Sequence, residues 1–494
     1  MSEYENFLSC ERSILKAPAG HGKTTAIADC LLQCPKNSLH LVLTHTHAGI
    51  ASLRTKFRKK NVPSNSYQLE TITGFAQRYV LSFLGESALP AEDDKEYFDK
   101  AVEKCTKLLK TQVVQYVITA TYNGVFVDEY QDCTVDQHNM IMALCEHLPV
   151  HLFGDALQGI FNFGSKKLVD FEKDLFDFST HDFLTTPWRW ESTNKQLGAE
   201  ILRMRTLLEN NQPITLTNKP SDGVYVYNYL PNEDEYKPIF RVLNKHDDGS
   251  LLIICPSFRI TNQYNKVVPK GNLNDRLLFK KRIDSNNRFA FVDAIDDEAY
   301  YSCAKKIDEY IKKNINKKCT HPIHDLYKIL VSLHLGKTGL NDWFNKDTDC
   351  FKKKVKENKE LYQSLLQLYQ TFEHNCTLNQ LKDIFVFISK LPAVKCCHKS
   401  FFNSIMRCLD LATNNGVSVY EAMKMYKARV RHQGRKIEGR CIGTTLLTKG
   451  LEFDTVIITN ADKFEDKKNF YVAISRACKK LVFLTHSTTI TFKQ

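Results

Sequence analysis

The stretch Ala17-Pro-Ala-Gly-His-Gly-Lys-Thr-Thr25 decides the fold, because it joins an apolar strand-like run to a helix-like segment. Its two glycines allow turns that a side chain would forbid, so that backbone N–H groups can face phosphate oxygens. Lys23 is placed to reach the β- and γ-phosphates of a nucleoside triphosphate, and the Thr24 hydroxyl to bind Mg²⁺. Ala17 stands where this pattern usually has its first glycine. A glycine-rich turn without a ligand is the alternative.

Two later strands are predicted to end in polar residues. The β-branched and aromatic run 124–132 delivers Asp128 and Glu129 to the carboxyl edge of a sheet, where α/β proteins bind ligands. We expect Asp128 to bind Mg²⁺ through water and Glu129 to polarise the water that attacks the γ-phosphate. An acidic strand end that caps the next helix is the alternative. Residues 150–158 show the same pattern of an apolar strand that ends in polar residues, with Gln158 just beyond the strand.

Aromatic and cationic side chains follow. Phe161 and Phe163 suit base stacking beside a nucleotide site, although ordinary core aromatics remain the alternative. Arg189 lies between two of the three tryptophans of the chain, and a buried aromatic corner would explain it equally. Arg476 lies on a predicted short helix over 469–477. From a second lobe it would reach the γ-phosphate as an arginine finger; the alternative is a surface ion pair.

The bulk composition indicates a multidomain protein with a basic balance. At 494 residues the chain is too long for one core, and domains typically hold about 100–200 residues. A net charge of +12 favours a polyanionic partner such as nucleic acid, or simply a basic protein without one. Between about residues 297 and 433, lysine clusters and apolar residues at helical spacing predict a basic helical insertion. Its lysines form either a solvated face or phosphate contacts.

The cysteines and the N-terminus favour a reducing compartment. The 16 cysteines include no Cys-x-x-Cys pair, and the acidic start Met1-Ser-Glu-Tyr-Glu5 lacks the features of a signal peptide. No apolar run approaches the roughly 20 residues that cross a bilayer. We therefore expect free thiols, a cytoplasmic location and no membrane partner. Residues 319–324 and 396–398 carry possible zinc ligands, but neither group has a strong metal spacing.

Taken in order, these stretches resemble the motifs of the UvrD/Rep/PcrA group of superfamily 1 DNA helicases. The strings Lys-Gly-Leu-Glu-Phe and Tyr-Val-Ala-Ile-Ser-Arg-Ala are highly specific, whereas the spans between motifs carry little signal. Residues 17–25 match motif I, 44–50 motif Ia, 71–75 motif Ib and 127–132 motif II. Residues 154–164 match motif III, 188–189 motif IV, 444–454 motif V and 471–477 motif VI.

The resemblance implies an α/β fold with two RecA-like P-loop lobes, each a parallel sheet with flanking helices. The implied domains are residues 1–80 and 120–184 for the ATP-binding lobe 1A, 81–119 for a small 1B insertion, 185–260 and 438–494 for lobe 2A, and 261–437 for a mostly helical, basic 2B-like insertion. ATP would lie in the cleft between the lobes with Mg²⁺, and single-stranded DNA across the top.

The resemblance also implies roles for individual residues. It implies catalytic roles for Lys23, Glu129, Gln158, Arg189 and Arg476. Nucleotide contacts are implied for Ala19, Gly20, His21, Gly22, Lys23, Thr24 and Thr25, with Glu452 near the sugar and Trp188 stacked on adenine. Thr24 and Asp128 would hold the metal. DNA contacts are implied for Thr44, Thr71, Phe161, Phe163 and Thr444.

Several positions depart from the pattern of the family. No glutamine precedes Ala17 to read adenine, and Thr25 replaces an arginine that commonly flanks the base. Thr73 and Leu446 stand where motifs Ib and V usually have histidine. We therefore expect base selectivity and coupling to DNA to differ from the housekeeping enzymes.

The compact pattern, with Thr-His-Thr-His-Ala-Gly in motif Ia, is similar to the GajB family, the helicase-like subunits of Gabija anti-phage systems. That similarity implies a GajA-like partner, an OLD-type ATPase–Toprim nuclease, in a hetero-oligomer. We expect an ATP-dependent, 3′→5′ DNA translocase or helicase that acts on single-stranded or tailed DNA in anti-phage defence. Two alternatives are a DNA-terminus-sensing ATPase that regulates a nuclease without processive unwinding, and a P-loop NTPase unrelated to nucleic acid.

Overall fold

The computed structural model describes residues 2–92, 94, 96–160, 166–230, 237–246, 249–261, 267–270, 273–283, 289–291, 297–345, 347–433 and 439–492. The chain divides into two compact units. One comprises Met1–Pro90, Phe98–Ala294 and Gly434–Gln494, and the other comprises Ala91–Tyr97 and Ile295–Gln433.

The first part of the chain forms a parallel sheet with helices. Its elements are α1 (Glu3–Ser9), β1 (Arg12–Lys16), α2 (Lys23–Gln33), β2 (His40–Thr44), α3 (His47–Lys59), β3 (Tyr67–Thr71), α4 (Ile72–Leu84), α5 (Tyr97–Leu109), α6 (Gln112–Thr121), β4 (Gly124–Val127), α7 (Val135–Cys145), β5 (Val150–Gly154) and β6 (Ser179–His181). The strand order is β3-β2-β4-β5-β1-β6. Strands β2, β4 and β5 are buried along their whole length, which explains their nearly continuous apolar sequences.

The register of this first sheet brings the predicted site residues to one edge. Lys16 at the end of β1 pairs with Gly154 at the end of β5, and Val127 at the end of β4 pairs with Leu43 of β2. Because all of these strands are parallel, the segments that follow β1, β4 and β5 leave the sheet on the same side. These segments are the glycine-rich loop, the Asp128–Asp132 turn and the Asp155–Gln158 turn.

The second sheet begins in the next part of the chain. The elements of this part of the chain are α8 (Trp188–Glu191), α9 (Lys195–Glu209), β7 (Ile214–Thr215), β8 (Val224–Asn228), α10 (Lys237–His246), β9 (Leu251–Ile254), β10 (Phe258–Thr261), β11 (Val267–Lys270), α11 (Leu273–Ile283) and β12 (Ala290–Phe291). Strands β10 and β11 form a separate antiparallel pair.

A mostly helical unit interrupts this sheet. It contains α12 (Asp297–Ile315), α13 (Pro322–Ser332), α14 (Lys337–Asn341), β13 (Phe344–Asn345), β14 (Cys350–Phe351), α15 (Lys359–Asn375), α16 (Leu378–Ser389), α17 (Lys399–Asn415) and α18 (Val419–Gln433). Its own core includes Trp343, Phe372 and Phe385, all nearly inaccessible to solvent. The predicted helical insertion thus has a hydrophobic core of its own.

The chain then returns to complete the second sheet with β15 (Arg440–Gly443), α19 (Thr445–Thr448), β16 (Phe453–Ile458), α20 (Lys467–Ile474) and β17 (Ala477–Thr485). The following strand, β18 (Thr489–Ile490), forms a separate antiparallel pair with β7. The strand order of the second sheet is β12-β15-β9-β16-β17-β8, and every pair is parallel. Apolar clusters cover both faces, one around Ile201 and Phe470 and one around Val242 and Ile253. Two six-stranded parallel sheets with flanking helices confirm the predicted α/β fold class.

Three of the expected domain boundaries, at positions 81, 120 and 261, do not coincide with the ends of helices or with the division between the two compact units. Position 81 falls inside α4 and position 120 inside α6, because both helices continue past those points. The helical unit begins near residue 295 rather than 261, because β12 pairs with β15 and therefore belongs to the second sheet. A two-residue strand gives too short a signal to be found from sequence.

Candidate nucleotide site

The loop between β1 and α2 has the geometry of a phosphate-binding turn. Gly20 and Gly22 have φ values of 77° and 89°, in the region that disfavours other residues. No side chain caps the start of α2, so its first N–H groups are available to an anion. Lys23 is 7% exposed, and its Nζ donates to the carbonyls of Ala17 (2.6 Å) and Pro18 (3.1 Å). Burial lowers the pKa of Lys23.

The remaining loop residues lie on the same turn. The N–H of Ala19 donates to the hydroxyl of Tyr471 at 3.0 Å, so helix α20 contacts the loop directly. His21 is buried with its Nδ1 3.0 Å from the Ala19 carbonyl, and burial lowers its pKa. Thr25 is half-buried in the first turn of α2.

Helix α8 packs directly against this loop. The N–H of Arg189 donates to the Gly20 carbonyl at 3.1 Å. A Cβ atom at Gly20 would lie 2.8 Å from the Cβ of Arg189, so only glycine fits there. Trp188 lies beside Gly22 and is 62% exposed. Its open indole face is compatible with the predicted stacking on a base.

Asp128 and Thr24 form the candidate metal site. The Thr24 hydroxyl donates to Asp128 Oδ2 at 3.5 Å. Burial raises the pKa of Asp128 to about 7, and the neighbouring Glu129 adds to that effect. Carboxylate and hydroxyl oxygens beside phosphates are the ligands that Mg²⁺ uses in nucleotide sites. The two residues fit Mg²⁺, since a cation would stabilise the buried Asp128 carboxylate.

Glu129 is the point at which positive charges from both sheets meet. Its backbone is left-handed, with φ 55° and ψ 41°, a conformation that costs a non-glycine residue about 1 kcal/mol or more. Burial acts to raise the pKa of its carboxyl group, but Lys449, Lys23 and, more weakly, Arg476 outweigh burial and lower it. Gln131 Nε2 also donates to the carboxylate. Glu129 is therefore held as an anion.

Arg476 and Gln158 face each other between the sheets. Arg476 follows the end of α20 rather than lying within the helix, and it is 1% exposed. Its Nη2 donates to Gln158 Oε1 at 3.5 Å, and its Nε donates to the Val472 carbonyl at 2.9 Å. Burial and the nearby Arg189 lower the pKa of Arg476 to about 10. The guanidinium thus reaches the first sheet beside Glu129.

Arg189 and Glu452 bind each other. Arg189 Nη2 donates to Glu452 Oε1 at 2.8 Å, and Nη1 donates to the Ser475 carbonyl. Burial acts to raise the pKa of Glu452, but Arg189 outweighs it and lowers the pKa. Arg189 contacts the loop at Gly20, and Glu452 is bound to Arg189. The nucleotide contacts of both residues remain predictions.

Three functional candidates escaped the sequence analysis. Lys449 donates to Asp132 and to the Gln158 carbonyl, and its side chain is 5% exposed. Tyr471 and Arg205 are in contact near the loop. Lys449 lies inside the motif V segment and Tyr471 inside the motif VI segment. The sequence therefore marked their positions but did not indicate what their side chains do. Arg205 lies within an ordinary amphipathic helix, and no sequence pattern indicates a functional role for it.

The predicted DNA-contacting hydroxyl groups are buried or act as helix caps. Thr44 is 0% exposed and lies under Gly49, so a DNA contact by its side chain would require this segment to rearrange. Thr71 is 4% exposed and accepts from the Gly74 N–H at 2.9 Å. Thr444 accepts from the Leu447 N–H at 3.4 Å. Phe161 and Phe163 lie outside the described residues.

Two features are absent from the described residues. No three or more His, Cys, Asp or Glu side chains there are grouped to hold a metal ion, and this includes residues 319–324 and 396–398. No helix in the described ranges combines the length and the apolar character required to span a bilayer.

Comparisons with known proteins give a match over one part of the chain and distant structural similarities. Residues 86–175 match the family model of the UvrD/REP helicase N-terminal domain. No curated protein matches the chain. Among solved structures, the chain is similar to Arterivirus nonstructural protein 10 (helicase) in complex with DNA, with 10% identity, a TM-score of 0.34 and coverage of 97% of this chain and 62% of that one.

A further crystal structure of Arterivirus nonstructural protein 10 (helicase) gives 9% identity and a TM-score of 0.35, with coverage of 97% of this chain and 61% of that one. The chain therefore spans about three fifths of the length of these viral chains.

Proposed function

We propose that this protein is a DNA-stimulated ATPase of the UvrD-like helicase type, which moves along single-stranded DNA. The observation that carries the proposal is the position of Glu129. It lies on the first sheet beside the phosphate loop, with Lys23 of that loop and with Lys449 and Arg476 of the second sheet close enough to lower its pKa. The family match to residues 86–175, which include Glu129, supports the same class.

ATP would bind with its phosphates at the start of α2 and with Lys23 at the β- and γ-phosphates. Arg476, and Arg189 once released from Glu452, would compensate the phosphate charge from the second sheet. The anionic Glu129 is suited to accept a proton from an attacking water held beside it. Mg²⁺ bound by Thr24 and Asp128 would neutralise charge on the phosphates.

Movement along DNA would follow from the two-sheet design. The triphosphate attracts cations of both sheets, and hydrolysis removes that attraction, so the sheets would close and open once per ATP. The net charge of +12 favours a nucleic-acid partner. By its resemblance to the family, the direction of travel would be 3′→5′, on single-stranded or tailed DNA.

Phosphate release with and without single-stranded DNA tests the core of the proposal. We expect turnover in the purified protein to rise several-fold with DNA, and Lys23→Ala to abolish turnover. The exposed Lys36→Ala is the matched control. ATPase activity that is indifferent to DNA would contradict the proposal and favour an NTPase unrelated to nucleic acid.

A strand-displacement assay on a tailed duplex separates a helicase from a sensor. Displacement would support unwinding, whereas DNA-stimulated hydrolysis without displacement would favour a DNA-terminus-sensing ATPase. We further propose a role in anti-phage defence with an OLD-type nuclease partner, based on the Gabija-like motif pattern. Co-elution of the protein with the product of the neighbouring gene tests this proposal, and separate elution of the two would count against it.

A further inference from the structure

Arg205 of α9 contacts two side chains that lead to different parts of the candidate site. Its Nη1 donates to Asp155 Oδ2 at 2.7 Å, and its guanidinium carbon lies 4.9 Å from the ring centre of Tyr471. Its Nη2 also pairs with Glu209 at 2.9 Å. The Arg205 side chain is 14% exposed and that of Asp155 is 0% exposed, so the first pair is well shielded from solvent.

The contact with Asp155 leads to Gln158. Asp155 follows β5 of the first sheet and accepts from Gln158 Nε2 at 2.8 Å. The other end of the same amide, Oε1, faces Arg476. Gln158 is therefore held at both ends, and the carboxylate that holds one end is fixed by Arg205.

The contact with Tyr471 leads to the phosphate loop. The Tyr471 hydroxyl accepts from the Ala19 N–H at 3.0 Å, and the ring is fully buried on α20. The N–H groups of such a loop normally face phosphate oxygens. A phosphate that attracts the Ala19 N–H would compete with Tyr471 for it, so the hydroxyl bond is suited to respond to nucleotide.

We infer that Arg205 is a positioning residue that couples the phosphate loop, through Tyr471, to Gln158, through Asp155. This inference rests on the proposed function. Arginine is needed for the task, because its planar fork donates to a carboxylate while its face lies on an aromatic ring. Lysine at this position would keep the charge but would lose that combined geometry.

The first test needs neither nucleotide nor activity. Amide hydrogen exchange of the segment that contains Ala19 should be faster in Tyr471→Phe, since this change removes only the hydroxyl acceptor. The same segment should exchange faster in Arg205→Lys, because the ring contact is lost. Arg203→Lys is the matched control, since Arg203 lies on the same helix and its side chain, which is 45% exposed, pairs with Glu200. Equal exchange in all four proteins would overturn the inference.

Kinetics provide the second test. Tyr471→Phe should lower KM for ATP, because it removes the hydroxyl that competes with phosphate for the Ala19 N–H. Arg205→Lys should lower kcat, because Gln158 is displaced. The effects of the double variant should differ from the sum of the two single effects, because Arg205 and Tyr471 are in contact. A wild-type protein with DNA-stimulated turnover and unaffected variants would refute the coupling alone. A wild-type protein without such turnover would refute the proposed function. In that case the hydrogen-exchange experiment would still test the contact between Ala19 and Tyr471.

Discussion

Lys449, which follows helix α19, is buried against Asp132 in the turn after strand β4. Their side chains are 5% and 1% exposed, and they lie 317 residues apart in the chain. The Lys449 ammonium also donates to the Gln158 carbonyl. One cation thus ties the turn after β4 to the turn after β5.

We expect Lys449→Met to destabilise the protein by about 3 kcal/mol or more, because it removes a cation that pairs with the buried Asp132 carboxylate. Urea unfolding followed by tryptophan fluorescence measures the change. Adding Asp132→Asn should restore part of the loss, since an uncharged amide is easier to bury. Lys107→Met removes an exposed pair with Glu103 and should leave the midpoint unchanged. A Lys449→Met protein as stable as wild type would show that the pair does not contribute.

Gly20→Ala should weaken ATP binding at least about ten-fold. A methyl group there would meet the Cβ of Arg189 at 2.8 Å, and the backbone has a φ of 77°, so α8 must move away from the loop. A fluorescent ATP analogue measures the affinity. Gly416→Ala is the control, since its φ of 63° is also positive but no atom lies within 4 Å of the added carbon. That control should cost about 1 kcal/mol of stability and leave ATP binding unchanged. Equal affinities in both variants would contradict the steric argument.

Local sequence patterns were sufficient where a single segment builds the feature. The loop at Gly20–Lys23 and the acids after β4 are contiguous, and their residue types reflect local backbone and ligand requirements. The continuous apolar strands β2, β4 and β5 likewise carry the signal of a parallel sheet in their own sequence. The α/β fold and the position of Glu129 on the first sheet could therefore be predicted.

Long-range contacts could not be predicted in this way. Arg205 and Asp155 are 50 residues apart, and Ala19 and Tyr471 are 452 apart. Nothing in the spacing of either pair indicates contact, because contact depends on how the two sheets pack. The burial of Thr44 was missed for a related reason, since a strand-end threonine has the same sequence whether it faces solvent or Gly49.

Glu129→Gln should retain ATP binding and reduce turnover by about two to four orders of magnitude, because a neutral amide cannot accept the proton of the attacking water. Single-turnover hydrolysis and analogue binding, measured side by side, separate the two effects. Glu146→Gln, at an exposed position after α7, is the control. Normal turnover in Glu129→Gln would remove Glu129 from the role of the base.

Two buried histidines flank Phe126 within the first sheet. His40 lies 5.5 Å and His151 5.2 Å from the Phe126 ring, centre to centre. Ser38 and Ser13 hydroxyls contact the two imidazoles at 3.0 and 2.7 Å. Burial lowers the pKa of His40 to about 4 and that of His151 to about 3, and His40 and His181 add to the effect on His151.

These histidines should make the protein less stable in mild acid. Between pH 6.5 and about 4, the unfolded chain binds protons at both positions that the native protein does not bind, so the free energy of unfolding falls as the pH falls. Across its full range, the loss is on the order of 3 kcal/mol for His40 and on the order of 5 kcal/mol for His151. Urea midpoints at pH 7.5 and 5.0 measure the slope. His151→Gln should flatten the slope, whereas the exposed His374→Gln should not. An unchanged slope in His151→Gln would assign the acid sensitivity to other groups.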